Sequence, residues 1–177
     1  MWVKVDREQC FKDTGRPPIK LRWVDVNKGD DSKPKYRSRI AAKEIKTNNR
    51  PDLFAATPPI EHIKYLISRV ASGQRGRHPS RLMIKDVKKA YVFADATRKI
   101  YIELPPGDSE HGKVGLLLKS LYGTRDAAMN WTATYTSVLV NKMGFRQGRS
   151  TPCAFFNEEL GIRTVVHGDD FLSEGSL

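Results

Sequence analysis

At 177 residues the chain has room for about one domain with a sizeable core. Its 31 Lys and Arg against 20 Asp and Glu leave a formal charge of +11, which favours a polyanionic partner such as nucleic acid, although an anionic membrane surface satisfies the same balance. No apolar run approaches the roughly 18 residues of a spanning helix, and residues 1–6 carry no apolar signal region, so the sequence argues against a membrane or secreted protein and for an intracellular one.

Residues 1–18 show no sustained period and end in Gly15-Arg16-Pro17-Pro18, a rigid extended segment, so they are expected to be a loosely held lead-in. Cys10 lies there. Cys153 is its only fellow, and without CxxC spacing or a His-Cys cluster neither a disulfide nor a zinc site is expected. Ile19, Leu21 and Trp23 alternate with Lys20 and Arg22, and after turn-rich residues 27–32 a second alternating stretch runs from Lys35 to Ala41. This predicts a β-hairpin with Lys35, Arg37 and Arg39 on one face. Ile60, Ile63, Leu66, Ile67 and Val70 recur at helical steps after Pro59, predicting an amphipathic helix that ends in a loop over 72–77. Leu82-Met83-Ile84 reads as a short buried strand leading into Asp86, and Lys99 to Leu104 as another, stopped by Pro105-Pro106-Gly107. Ala127, Ala128, Trp131, Tyr135, Val138 and Leu139 predict a second helix closing at Gly144, with Trp131 and Tyr135 in the core. Ala154-Phe155-Phe156, a Gly161 turn, 162–166, the tight turn His167-Gly168-Asp169-Asp170 and Phe171-Leu172 complete the chain as strands and turns. Interspersed strands, hairpins and helices favour an α+β fold over a doubly wound parallel sheet.

Three carboxylates stand out. Phosphoryl transfer by two metal ions needs carboxylates from separate segments converging on cations roughly 3.5–4 Å apart. Asp86 ends an apolar strand, where burial is costly without a cation or donors, and Asp169 and Asp170 sit together in a turn between strands. Each also has an ordinary explanation: Asp-Asp after glycine is common turn composition, and a strand-end Asp can cap local amides.

The order and surroundings of these residues resemble one family, the reverse transcriptases of copia-type retrotransposons, from about Ile19 to Leu172. Residues 20–24 and 36–43 resemble its fingers hairpin, ending in a "KARLVAKG"-like strand, and Phe54-Ala55 its "TFAPV" segment. Residues 85–91 resemble "DVKNAFL" and residues 100–107 "VYMEQPPG"; residues 118–123 with Trp131 resemble "LKKSLYGLKQAPRAW", and His167-Gly168-Asp169-Asp170 stands in place of "YVDD". The resemblance implies the fingers and palm of a right-hand polymerase, with an antiparallel palm sheet packed on helices and the thumb absent. It implies a fingers-like portion over 19–80 and a palm-like portion over 81–177. It further implies template-directed addition of deoxynucleotides to a primer 3′-end on RNA or DNA, with two Mg²⁺ ions or Mn²⁺ in their place. Asp86, Asp169 and Asp170 would be the catalytic metal ligands, with the Val87 carbonyl completing the shell. Tyr91 matches the aromatic that rejects a ribose 2′-hydroxyl, although a half-buried core tyrosine gives the same pattern. Arg39 and Lys43 would reach the incoming triphosphate, or serve only as charges guarding an edge strand. Tyr122, Gly123 and Arg125 match the segment lining the template and nucleotide pocket. Family partners are the protease, integrase and ribonuclease H parts of one polyprotein.

Several positions depart from the family pattern. Asp126 replaces a glutamine and is expected to set a negative charge beside a polyanion, weakening substrate contacts; Ala128 replaces a proline. His167-Gly168 replaces Tyr-Val, removing an apolar anchor and adding backbone freedom. The sequence stops seven residues after Asp170, before the primer grip, thumb and ribonuclease H region that follow in the family, so processive synthesis by this stretch alone is not expected. A rival reading from another class is a non-catalytic, basic nucleic-acid-binding remnant of a polyprotein. A metal-dependent nuclease on the same carboxylates lacks a histidine or lysine placed by motif as its base.

Overall fold

Trp2–Asp6 is a strand, β1, and Arg7–Thr14 a helix, α1, so the expectation that residues 1–18 form a loosely held lead-in is corrected. β1 runs antiparallel to β6 (Lys113–Leu117), from Trp2 opposite Leu117 to Asp6 opposite Lys113. α1 buries Cys10 against Tyr101 and Val114. Neither element shows a sustained period because α1 has a single buried residue and β1 gains its partner from far along the chain. The computed structural model describes residues 1–47, 49–50, 52–72 and 79–176. Past Ser72, the loop expected over 72–77 lies outside them.

The chain divides into two units, Met1–Leu53 with Tyr91–Asn130, and Phe54–Ala90 with Trp131–Leu177. Residues 19–80 and 81–177 therefore each contribute to both. In the first unit, β2 (Leu21–Asn27) and β3 (Tyr36–Ala42) form the expected hairpin, paired from Leu21 opposite Ala42 to Asn27 opposite Tyr36. Its root enters a core of Ala42, Ile100, Ile102, Leu117 and Leu121, while most of its length is exposed. The strand expected over 99–104 is only β5, Tyr101–Ile102, and sheet order is β1-β6-β5. The sequence does not announce β6, whose residues are buried or half-buried on both faces and so lose the two-residue alternation.

In the second unit, β4 (Ser80–Asp86), β7 (Arg146–Gln147), β8 (Ala154–Asn157), β9 (Ile162–His167) and β10 (Asp170–Ser176) form an antiparallel sheet ordered β4-β10-β9-β8-β7. Being at the edge, β4 is not the buried strand its apolar run suggests: Met83 is 47% and Ile84 69% exposed. The helix read from Ile60 is α2, Ile60–Ala71, which fully buries Leu66 but leaves Ile60 and Ile67 exposed. The second predicted helix is α3, Ala127–Ser137, continued by a wider turn over Val138–Lys142 before Gly144 at φ 70°. Trp131 and Tyr135 are core residues, as expected: Tyr135 meets Phe171 edge-on at 5.6 Å and Phe155 at 6.0 Å, and Trp131 meets Phe171 at 6.3 Å. Mixed helices and antiparallel sheets make the fold α+β. Among the described residues no helix is long and apolar enough to cross a membrane.

Candidate carboxylate and nucleotide site

The hairpin from β9 to β10 is closed by Gly168 and Asp169, between His167 and Asp170, which pair. Gly168 stands at φ 64° while Asp169 stays outside the left-handed region, the arrangement of a two-residue hairpin turn with glycine at its first loop position. The glycine therefore supplies required geometry rather than mere backbone freedom. The turn also has an anchor, because the Trp131 indole N–H donates to the Gly168 carbonyl at 2.8 Å.

Asp86, the last residue of β4, lies opposite Asp170 in the ladder. One step on, the Val87 N–H donates to the Asp169 carbonyl at 2.9 Å. That bond makes 87 and 169 a hydrogen-bonded pair, so Asp86 and Asp170 form the adjoining non-hydrogen-bonded pair, in which side chains share a face and Cα atoms lie about 4.5 Å apart. The burial expected for Asp86 does not occur: it is exposed, because it ends an edge strand. Among the described residues the three carboxylates have no ion-pair or hydrogen-bond partner. Two like charges thus face each other uncompensated, an unfavourable pairing that a cation would relieve.

Among the described residues no three His, Cys, Asp or Glu side chains already converge as a metal cage. The donor set nevertheless suits Mg²⁺, a hard cation that takes one or two carboxylates together with waters and substrate phosphates. Here two exposed carboxylates share a face and a third sits in the adjacent turn.

The other predicted residues belong to the first unit. Tyr91 is half-buried in a short turn, Ala90–Phe93, with its ring 4.8 Å from that of Tyr122 and tilted by 49°. The Arg39 guanidinium lies 5.5 Å over the same Tyr122 ring, so Arg39, Tyr122 and Tyr91 form one cluster. Gly123, at φ 83°, packs so closely on Ala42 that a Cβ would run into the Ala42 carbonyl. Lys43 and Arg125 instead line a cavity of about 580 Å³, shared with Arg16, Arg98, Lys99 and Glu44. Arg39 and Lys43 thus face different surroundings.

Asp126 is corrected most sharply. It is 1% exposed and turned inward, accepting from Arg98 at 3.0 Å and from the Asn130 amide at 3.3 Å. Arg98 also donates to Glu44 at 2.6 Å, and Glu44 accepts the Arg125 backbone N–H at 2.8 Å. Burial opposes the Arg98 charge, but Glu44 and Asp126 outweigh it and hold the guanidinium above its ordinary range. The Asp126 charge is therefore matched internally and is not presented to a polyanion.

Sequence reading missed Arg98 and Glu44, because nothing local marks which charges will pair. It also missed Lys89, at φ 59° and so the only residue other than glycine with positive φ among those described. A signal existed: the motif resembled has asparagine there, a residue that tolerates the left-handed region more readily than lysine.

A family model described as reverse transcriptase (RNA-dependent DNA polymerase) matches residues 10–175. A retrovirus-related Pol polyprotein from transposon TNT 1-94 of Nicotiana tabacum is 29% identical over 174 residues, covering 91% of this chain and 12% of its own length. The transposon Ty1-BL Gag-Pol polyprotein of Saccharomyces cerevisiae is 28% identical over 132 residues, covering 74% of this chain and 7% of its own length. The truncated transposon Ty1-A Gag-Pol polyprotein of that yeast is 35% identical over 87 residues, 49% of this chain and 7% of its own length. The chain thus spans about a tenth of the length of such relatives. No solved structure matches it significantly.

Proposed function

The chain belongs to the reverse transcriptase (RNA-dependent DNA polymerase) family, and from that premise we propose that it carries the nucleotide-adding site of a copia-type retrotransposon polymerase. The observation that carries the reading is the pairing of Asp86 with Asp170, with Asp169 in the turn beside them. In this reading the second unit supplies the palm and the exposed β2–β3 hairpin belongs to the fingers. The substrates are deoxynucleoside triphosphates and a primed RNA or DNA template, used inside the cell.

Asp86, Asp169 and Asp170 would hold two Mg²⁺ ions, with the Val87 carbonyl as a further oxygen donor. When bound, such ions lower the pKa of the primer 3′-hydroxyl and neutralise charge on the departing pyrophosphate. Trp131 positions the carboxylates by fixing the Gly168 carbonyl and so the turn that carries Asp169. Tyr91, braced by Tyr122, blocks a ribose 2′-hydroxyl, and Arg39 over the same ring reaches the triphosphate. Lys43 and Arg125, in their basic cavity, contact phosphates of the nucleotide or template. The remnant reading drew in part on Asp126 as a charge hostile to substrate, and the Arg98 pairing removes that part of its support.

Calorimetric titration with Mn²⁺ and primer extension by this chain, or by a longer piece of its polyprotein, test the assignment together. Saturable metal binding is expected, lost in Asp169→Asn, and extension should fall at least about a thousandfold in Asp86→Asn and Asp169→Asn, since each ligand supports several kcal/mol of charge stabilisation. Extension that persists in both variants would overturn the metal assignment.

A further inference from the structure

The second unit holds a cavity of about 400 Å³ between α2 and the β7–β9 part of the sheet. It is separate from the carboxylate turn. Arg163, in its wall, precedes His167 by four strand residues, which at about 3.3 Å per residue puts it on the order of 13 Å from that turn. The volume falls in the range of small-molecule sites, roughly 300–1,000 Å³.

Its wall is chemically one-sided. Arg146, Arg149 and Arg163 all line it, and among the described residues no carboxylate does. Arg149 is exposed and makes no ion pair or hydrogen bond among the described residues, so its guanidinium is uncommitted. Among the described residues the Arg146 side chain has only the exposed Glu158 as partner, a pairing that water screens and a ligand can replace. Arg163 is held, lying 4.7 Å over the Phe156 ring and bonded to the buried Glu174 at 3.3 Å. Phe156 and Tyr65, which is 52% exposed and has the Arg69 guanidinium 5.6 Å over its ring, add aromatic surface to the wall, alongside the polar residues Gln147 and Thr164. His62 also lines it, its Nε2 within 3.1 Å of the Thr151 hydroxyl and its Nδ1 buried without a partner among the described residues, a polar atom that an occupant or an ordered water would satisfy.

One uncommitted guanidinium, Arg149, and a second whose exposed partner a ligand can replace, Arg146, stand beside aromatic surface in a wall that no described carboxylate lines, and they select an anion carrying a flat apolar body. Planar guanidinium forks match phosphate oxygens, and exposed rings stack on bases. We propose that this cavity is a second nucleotide site, taking the phosphate on Arg149 and Arg146 and the base against Tyr65 and Phe156. The nucleotide is either free or part of a single strand lying across the unit. This site needs no metal and does not rest on the carboxylate assignment.

The test titrates the full chain in EDTA, which silences metal-dependent binding at the carboxylate turn, and follows the His62 and Tyr65 ring signals by NMR. Adenosine 5′-monophosphate, a short oligothymidylate, inorganic phosphate and polyglutamate are the probes. The proposal expects both ring signals to shift with adenosine monophosphate or with the oligonucleotide. Tighter binding of the oligonucleotide assigns the strand as the source, and binding of the monophosphate alone assigns the free nucleotide. Arg149→Ala, which disturbs no internal contact, should weaken binding about tenfold, the loss of one charge-assisted phosphate contact. Unmoved ring signals would overturn the proposal, as would phosphate or polyglutamate binding as tightly as the nucleotides or an Arg149→Ala affinity equal to wild type.

Discussion

Two sets of acidic residues in this chain live under opposite conditions. Asp126 and Glu174 are each 1% exposed, and both are met by arginines: Arg98 at 3.0 Å for Asp126, and Arg69 and Arg163 at 3.3 Å for Glu174. Asp86 and Asp170 are exposed and face each other across a ladder, and among the described residues neither has an ion-pair partner. A carboxylate that holds a fold together must be neutralised from within, because desolvating an unmatched charge is costly. One that binds an exchangeable cation must be left unmatched. Exposure and pairing together, not acidity, separate the two sets, and they explain why a negative residue at position 126 sits comfortably in a polymerase-like segment.

The contrast breaks most visibly at Arg98. Arg98→Met keeps the length and apolar stem of the side chain but strands a buried Asp126 beside Glu44. Destabilisation by about 3 kcal/mol is expected, the lower end of the range for a broken buried pair because Arg98 itself is partly exposed. Urea denaturation of both proteins measures it. A loss below about 1 kcal/mol would mean that the pairing contributes no more than a surface ion pair.

Glu174 sharpens the same contrast through pH. Burial pushes its carboxyl upward, but the Ser80 hydroxyl and the charges of Arg69 and Arg163 outweigh that and leave it below the ordinary 4.5. A depressed folded pKa means that the ionised form is bound more favourably in the folded state. Its stabilisation is therefore complete above the unfolded value and disappears as pH falls through the folded one. Wild-type stability should decline on acidification below about pH 4.5 more steeply than that of Glu174→Gln, which cannot titrate there. Parallel acid limbs for the two proteins would show that the arginines do not hold the charge.

Periodicity made the local elements legible. The β2–β3 hairpin, α2, and the turn between β9 and β10 all follow from steps of two or 3.6 residues and from turn chemistry within a few positions. β1 and β6 were illegible because their pairing, Trp2 with Leu117, joins distant parts of the chain and β6 has no polar face. The same boundary runs through the candidate site. Residue types and order singled out Asp86, Asp169 and Asp170, but that Asp86 sits opposite Asp170 depends on sheet order, which places β10 beside β4. The exposure of Asp86 was misjudged because an apolar run says nothing about whether a strand lies at an edge. Asp126 was misread because its partner, Arg98, is chosen by tertiary packing alone.

The smallest effect is also the most discriminating. If Asp86 and Asp170 are left unmatched for a cation, then without divalent ions each repels the other, and removing one charge should help the fold. Asp86→Asn or Asp170→Asn in EDTA is expected to raise stability by about 0.2–1 kcal/mol, the scale of a cross-strand pair. Adding Mn²⁺ should reverse the order. Wild type gains stability by mass action as the ion binds the folded state alone, while each variant, short of a ligand, gains less. Denaturation curves in EDTA and in saturating Mn²⁺ give both signs from the same proteins. A variant that loses stability in EDTA would show that these carboxylates are structural like Asp126 and Glu174, and the division between the two sets would fail.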